Sequence, residues 1–121
     1  MNKYHTVKKN EDFAEAIHTG RYYKNKSYAI YIKDNGLNNY RFGISVSKKL
    51  GNAVHRNKYK RQLRSIIDKY KKYYQNGLDY IIIIRNGYIN LSFEDKENDY
   101  FYLMNKIINN FEKEIIDEEK K

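Results

Sequence analysis

Side chains that can act as catalytic acids, bases or nucleophiles occur in this sequence, but none stands at a spacing that defines a catalytic or metal site. The histidines His5, His18 and His55 form no metal-ligand pair, and cysteine is absent. Ser45 and Ser47 lie outside any G-x-S-x-G elbow, and no glycine-rich phosphate loop is present. No pair of carboxylates has a diagnostic spacing either. The residues therefore predict no self-sufficient enzyme.

Basic side chains are concentrated in one segment, from Lys48 to Lys72. This segment holds ten basic residues and a single acid, Asp68, so it alone carries the formal net charge of +9. An excess of this kind indicates a polyanionic partner, most often a nucleic acid. The alternative is a solvated lysine-rich helix face. Arginine favours the nucleic-acid reading, because its forked donors suit phosphates and base edges.

The length of 121 residues predicts one domain spanning 1–121, with one ordinary core. The longest uncharged apolar run, Ile81–Ile84, is far shorter than the ~20 residues of a membrane span. The N-terminus lacks the apolar stretch of a signal peptide. We therefore expect a cytoplasmic protein without a membrane partner.

The elements that must position the basic segment follow the order α-β-β-α-β-α. Three helices are predicted: a first helix between Asn10 and Gly20, a long helix from about Ala53 to Tyr74 closed by Asn76-Gly77, and a last helix after the capping box that begins at Ser92. The predicted strands are Tyr28–Lys33, Tyr40–Ser47 and Asp79–Arg85. The last helix is expected to end in a frayed charged tail at Asp117–Lys121. The strand, long helix and strand predict a parallel pairing by crossover, with a right-handed default.

The long helix has two faces on a helical wheel. An apolar stripe predicts the core side, and it consists of Tyr59, Leu63, Ile66, Ile67, Tyr70 and Tyr74. A separate face carries Asn57, Arg61, Arg64 and Asp68. The helix is thus expected to pack with one face and to offer the basic one to a partner.

A second binding surface is predicted on the sheet. If the first two predicted strands pair, Ser45 and its small neighbours form a shallow floor beside Ala29 and Tyr31. Phe13 and Ile17, four residues apart on the first helix, can line a wall. Stacking of a base on an aromatic ring contributes ~1–3 kcal/mol. The alternative is that these apolar residues belong to the core.

The stretch from Arg41 to Arg64, which reads RFGISVSKKLGNAVHRNKYKRQLR, closely resembles the bacterial ribonuclease P protein family. Two further stretches resemble the same family, namely KKNEDF at Lys8–Phe13 and DYIIII at Asp79–Ile84. The likeness therefore covers most of the chain, from about Val7 to Phe111.

The resemblance implies an α+β sandwich with a mixed central sheet and a left-handed strand-helix-strand crossover, against the default hand. It also implies that a catalytic RNA uses Mg²⁺ to remove the 5′ leader of precursor tRNA, while the protein is an accessory subunit without catalytic groups or a cofactor of its own. The positions matching the contacts to the RNA subunit are Arg56, Asn57, Lys58, Lys60, Arg61 and Arg64. The positions assigned to the single-stranded leader are Phe13, Ile17, Tyr31, Ser45, Lys48 and Lys49.

Two residues depart from the family pattern. Lys58 stands where Arg is commoner, which keeps the charge but loses the forked donor, and Tyr59 replaces an aliphatic residue. Two other readings remain open. A ribosomal or general structured-RNA binding protein predicts no preference for precursor over mature tRNA, and a metal-dependent nuclease predicts cleavage by the protein alone.

Overall fold

The computed structural model describes the backbone of residues 5–6 and 21–119 and the side chains of residues 21–111. These residues form an α+β fold with a five-stranded mixed sheet and two long helices, which confirms the predicted class. The predicted first helix, with Phe13 and Ile17, lies outside the described residues. The elements are β1 (His5–Thr6), β2 (Arg21–Lys24), β3 (Tyr28–Asp34), β4 (Arg41–Val46), α1 (Ala53–Lys69), β5 (Leu78–Ile84) and α2 (Phe93–Glu119).

The strands lie side by side in the order β1-β4-β5-β3-β2. β4 and β5 are parallel and joined through α1, which confirms the pairing predicted from the strand-helix-strand unit. β5 runs antiparallel to β3, β3 runs antiparallel to β2, and β1 is parallel to β4. The hand of the crossover stays a prediction from the family resemblance.

The predicted sheet floor depended on direct pairing of β3 with β4, and this condition is not met, because β5 lies between them. The reason is the apolar character of β5 on both of its faces: Ile81, Ile82 and Ile84 are all buried. A strand of this kind removes most apolar area from water at the centre of a sheet, where it has a neighbour on each side.

Strands β1 and β2 were not predicted. β1 pairs at only two residues, and β2 is a four-residue segment with a charge at each end, so neither is long enough to show a clear period. β2 is joined to β3 by a turn centred on Asn25, whose Oδ1 accepts from the N–H groups of Ser27 (3.0 Å) and Tyr28 (2.9 Å). This turn, typical of Asn, fixes the register of the hairpin.

Both helices pack on one face of the sheet. The predicted stripe of α1 is buried there at Tyr59, Leu63, Ile66 and Ile67, and α2 contributes Tyr100, Leu103, Met104 and Ile107. Tyr28 lies at the centre: its hydroxyl donates to the Lys96 carbonyl at 2.7 Å, and its ring meets the edges of Tyr88 and Tyr100. The core thus fills with tyrosine rings whose hydroxyls have partners, as buried tyrosines require.

α1 ends at Lys69, five residues earlier than predicted. Tyr70 leaves helical geometry with φ −108° and ψ 27°, and a single 3-10 turn over Lys71–Tyr73 follows. Tyr74 is buried as predicted, but by turning its hydroxyl toward that of Tyr100, 2.7 Å away, rather than by continuing the helix. A tertiary contact therefore overrides the local helical period.

Gly77 immediately precedes β5 instead of capping α1. Its φ of 87° is the left-handed conformation that glycine adopts without strain. Its N–H donates to the Asn39 carbonyl at 3.0 Å, and its own carbonyl accepts from the Asn35 N–H at 2.9 Å. The predicted helix cap is therefore wrong: Gly77 is a turn residue that ties the start of β5 to the loop after β3.

The N-terminus of α2 is capped as predicted, since the Ser92 hydroxyl accepts from the Asp95 N–H at 3.1 Å. The helix continues to Glu119, so the part of the predicted tail from Asp117 to Glu119 is helical. Residues 120–121 lie outside the described residues.

We expect stability to fall in alkaline solution because burial raises the pKa of Tyr28, Tyr80 and Tyr88 above the ordinary value of 10.0. Unfolded tyrosines ionise near that value, whereas the folded ones hold their protons. Stability present below pH 10.0 is therefore lost as the pH rises above it. Urea unfolding on both sides of this pH, with tyrosinate absorbance, measures the loss. Tyr88→Phe should make it smaller, and a pH-independent unfolding free energy would contradict the assignment.

Candidate nucleic-acid interface

The loop after β4 presents the first of the predicted RNA-binding residues. The Ser47 hydroxyl accepts from the Lys49 N–H at 3.2 Å and so starts a 3-10 turn over Lys48–Leu50. Leu50 is buried and anchors the turn to the core. The side chains of Lys48 and Lys49 are left exposed at the carboxyl end of β4.

Gly51 and Asn52 set the start of α1. Gly51 has a φ of 149°, and a Cβ at this position would lie 3.0 Å from the Cβ of His55. The Asn52 side chain accepts from the His55 N–H at 3.0 Å, which satisfies one of the free donors of the first turn. The helix therefore begins at Ala53, as predicted, with its first turn held close to the basic loop.

The basic face of α1 is exposed along the helix. Asn57, Lys58, Arg61 and Arg64 are exposed, while Arg56 and Lys60 are half-buried. Within residues 21–111, none of these cations forms an ion pair with another side chain. Their charge is therefore available to an outside anion, because no neighbouring carboxylate in that part of the chain neutralises it.

The positive charge also acts on the protein itself. Burial, and then the charge of Lys58, lowers the pKa of Lys96 below its ordinary range. The Lys96 ammonium lies 4.4 Å from the ring centroid of Tyr88 and donates to the Gln62 side chain at 3.1 Å. The part of the basic face near Lys96 is therefore positively charged. The Lys96 ammonium is held there by the ring of Tyr88 and the side-chain amide of Gln62.

Arg56 has a polar atom without a partner. Its Nε is buried and makes no hydrogen bond within the described part of the chain. An unsatisfied buried donor costs free energy unless a ligand or water reaches it. Arg56 stands at the start of the R-N-K run, and its assignment to an RNA contact stays a prediction.

The sheet face opposite the helices carries the other predicted residues. In the sheet register, Tyr31 of β3 pairs with Ile81 of β5, and Ile81 pairs on its other side with Gly43 of β4. The next row holds Ile83 and Ser45. Tyr31 and Ser45 therefore share a face, as predicted, but they are two strands apart, about 10 Å. Ile81 and Ile83 separate them, so the floor is apolar at its centre.

A depression of about 230 Å³ lies where β4 and β5 end. It is lined by Ser47, Lys49, Leu50, Ile84, Arg85 and Asn86. Arg85 donates to the Asn25 carbonyl at 2.5 Å and is thereby fixed beside the basic loop. The sequence interpretation gave Arg85 only a role at the end of a strand; its position next to Lys49 appears once β4 and β5 are known to be parallel.

A residue that the sequence analysis missed is Tyr22. Its ring stacks on that of Tyr31, with ring centroids 4.6 Å apart and an angle of 30° between the planes. The two residues are direct neighbours in the β2-β3 register. The sequence signal that could have identified this pair was the Asn25 turn, because a hairpin closed there brings Tyr22 and Tyr31 together.

The two predicted surfaces lie on opposite sides of the sheet. α1 packs against the face that carries Ile82, whereas Tyr31 and Ser45 project from the other face. The loop that carries Lys48 and Lys49 follows β4 and leads into α1, so it runs between the two surfaces. This arrangement can hold two separate stretches of a polyanion at once.

Within the residues described, no group of three or more histidine, aspartate or glutamate side chains is arranged to hold a metal ion. Among the same residues, no helix has the length and apolarity needed to cross a membrane.

Comparison with known proteins gives consistent results. A family model described as Ribonuclease P matches residues 1–108. The ribonuclease P protein component of several Streptococcus pneumoniae strains is 36% identical over 104 residues, which covers 86% of this chain and 85% of the relative.

Solved structures agree as well. The RNase P protein of Staphylococcus aureus aligns with a TM-score of 0.79 and 33% identity, covering 87% of this chain and 96% of that one. The RNase P protein of Thermotoga maritima aligns with a TM-score of 0.75 and 26% identity, covering 84% and 96%. The residues matched by the family model, 1–108, include the loop, α1 and the sheet that form the candidate interface.

Proposed function

The chain belongs to the ribonuclease P protein family, and we propose that it assists a catalytic RNA in removing the 5′ leader from precursor tRNA. As a protein component of ribonuclease P it has a role in an endoribonuclease complex. We assign the catalytic groups, and the Mg²⁺ that they use, to the RNA subunit. We also infer a cytoplasmic location and a single RNA-binding domain over 1–121.

The observation that carries the proposal is the exposed basic face of α1. Arg61 and Arg64 project from the side of the helix that does not pack on the sheet, and no described carboxylate neutralises them. Each phosphate neutralised contributes about 0.7–0.9 to the slope of log affinity against log salt. We assign this face, with Arg56, Asn57, Lys58 and Lys60, to the RNA subunit.

The opposite sheet face is assigned to the leader of the precursor. Tyr31 offers a ring for stacking, Ser45 a hydroxyl, and the exposed Lys48 and Lys49 offer charge at the edge. Phe13 and Ile17 belong to the same proposal by family resemblance alone. Two surfaces on opposite sides of one sheet suit an accessory subunit that bridges a ribozyme and its substrate.

The test is cleavage of precursor tRNA at low Mg²⁺ by the cognate ribonuclease P RNA, with and without the protein. We expect the protein to stimulate cleavage, because its cations replace part of the screening that Mg²⁺ otherwise supplies. We expect the protein alone to cleave nothing.

Competition with mature tRNA separates the remaining alternatives. The proposal requires tighter binding of the precursor than of the mature tRNA by the assembled enzyme. Equal binding, without stimulation of cleavage, would instead indicate a general structured-RNA binding protein. Cleavage by the protein without RNA would indicate a nuclease.

A further inference from the structure

Tyr22 forms an aromatic pair at the edge of the sheet. β2 is the last strand in the order of the described sheet, and Tyr22 lies on the same face as the proposed leader residues. One side of its ring is covered by Tyr31 at 4.6 Å, yet the residue remains 47% exposed. A large aromatic ring that is half in water, and already aligned on a second ring, is a platform for a further flat group.

Basic side chains flank this pair along the hairpin. Residues 21–33 contain four basic side chains, Arg21, Lys24, Lys26 and Lys33, and no acidic one. Lys24 and Lys33 lie on the same face as the pair, one on each side of it along the hairpin. A flat group that carries negative charge, as a nucleotide does, fits this combination of ring and cations.

We propose that Tyr22 stacks a nucleobase of single-stranded RNA and so extends the leader site beyond Tyr31 to the edge of the sheet. The inference rests on the proposed function, because it takes the leader of the precursor as the strand concerned. Pairing of β2 with another protein strand fits less well, since lysines on an edge strand oppose edge-to-edge association.

The geometry predicts which part of the leader is involved. From β4, which carries Ser45, to β2 is three strand spacings, about 14 Å. This distance equals about four nucleotides at the ~3.4 Å rise of one strand of a duplex, and fewer if the strand is extended. A leader of one nucleotide is therefore too short to cross from Ser45 to Tyr22, whereas a long leader reaches it.

The experiment measures the affinity of the holoenzyme for precursor tRNAs with a long leader and with a one-nucleotide leader. Tyr22→Thr removes the ring and keeps a residue suited to a strand, and Tyr22→Phe keeps the ring. Tyr102→Ala is the matched control, because Tyr102 is an exposed tyrosine on α2. We expect Tyr22→Thr to weaken binding of the long-leader precursor by about 5- to 150-fold, the range of one stacked base.

We expect Tyr22→Phe and Tyr102→Ala to bind the long-leader precursor like the wild type, and all variants to bind the one-nucleotide precursor alike. An equal loss with both leaders, or no loss with the long one, would overturn the role of Tyr22 while leaving the proposed function intact. If the wild type itself shows no preference for precursor over mature tRNA, the proposed function fails first.

Discussion

Replacing Asp79 with alanine is expected to lower the free energy of unfolding by about 3–5 kcal/mol. Asp79 is 1% exposed at the start of β5. Arg41 on β4 donates to both carboxylate oxygens, through Nε at 2.7 Å and Nη2 at 2.6 Å. Asn35 donates a third hydrogen bond at 2.9 Å. Removing the carboxylate leaves the half-buried guanidinium without its bidentate partner, and its desolvation is no longer compensated.

Urea unfolding followed by circular dichroism measures this effect. Asp34→Ala is the control, since Asp34 is an exposed carboxylate at the end of the neighbouring strand and should change stability by less than ~0.5 kcal/mol. The double variant Asp79→Leu with Arg41→Met should recover much of the loss, because no buried charge then remains. A loss below ~1 kcal/mol for Asp79→Ala, the scale of an exposed pair, would show that the pair does not hold the sheet.

The ion pair shows where prediction from the sequence stops. Asp79 was interpreted as a charge at the entrance of a strand, and its burial was not expected. Its partner Arg41 lies 38 residues earlier, and the two meet only because β4 and β5 are parallel with these residues in register. A hydropathy pattern indicates which face of a strand is buried, but it does not indicate which residue of the neighbouring strand lies beside a given position.

The position of β5 between β3 and β4 was missed for a related reason. The predicted sheet floor depended on direct pairing of β3 with β4, and consecutive strands are indeed usually adjacent. The apolar run Ile81–Ile84 was nevertheless predicted to be buried on both faces, and a strand of that kind belongs at the centre of a sheet. Taken together with the crossover, this expectation would have placed β5 between the other two.

The candidate site on α1 was easier to predict, because the helical period separates the buried residues from the exposed ones within one short stretch of sequence. The stripe that includes Leu63 and Ile67 is buried, and the face that includes Arg61 and Arg64 is exposed, as predicted. The site on the sheet depends on strand order and on a short hairpin, so Tyr31 and Ser45 were correctly placed on one common face while Tyr22 was missed.

The double substitution Arg61→Ala with Arg64→Ala is expected to weaken assembly with the RNA subunit by about 100-fold. We assign each arginine about tenfold, or ~1.4 kcal/mol, which is near the lower value for a hydrogen bond to a charged group. The substitutions should not unfold the protein, since both side chains are exposed and the core stripe of α1 is untouched. The slope of log affinity against log salt should fall by roughly 1.4–1.8, the contribution of two phosphates. Binding to the cognate RNA across a range of salt concentrations measures both quantities.

Lys106→Ala is the matched control, because Lys106 is an exposed cation on α2, away from the basic face of α1. It lowers the net charge as one arginine substitution does, so it should have little effect if position rather than total charge determines binding. An equal loss for Lys106→Ala and for either single arginine variant would indicate non-specific attraction. Wild-type affinity with an unchanged salt slope in the double variant would exclude this face from the contact with the RNA subunit. A reduced affinity with a reduced slope, confined to the α1 variants, is what phosphate neutralisation by the long helix requires.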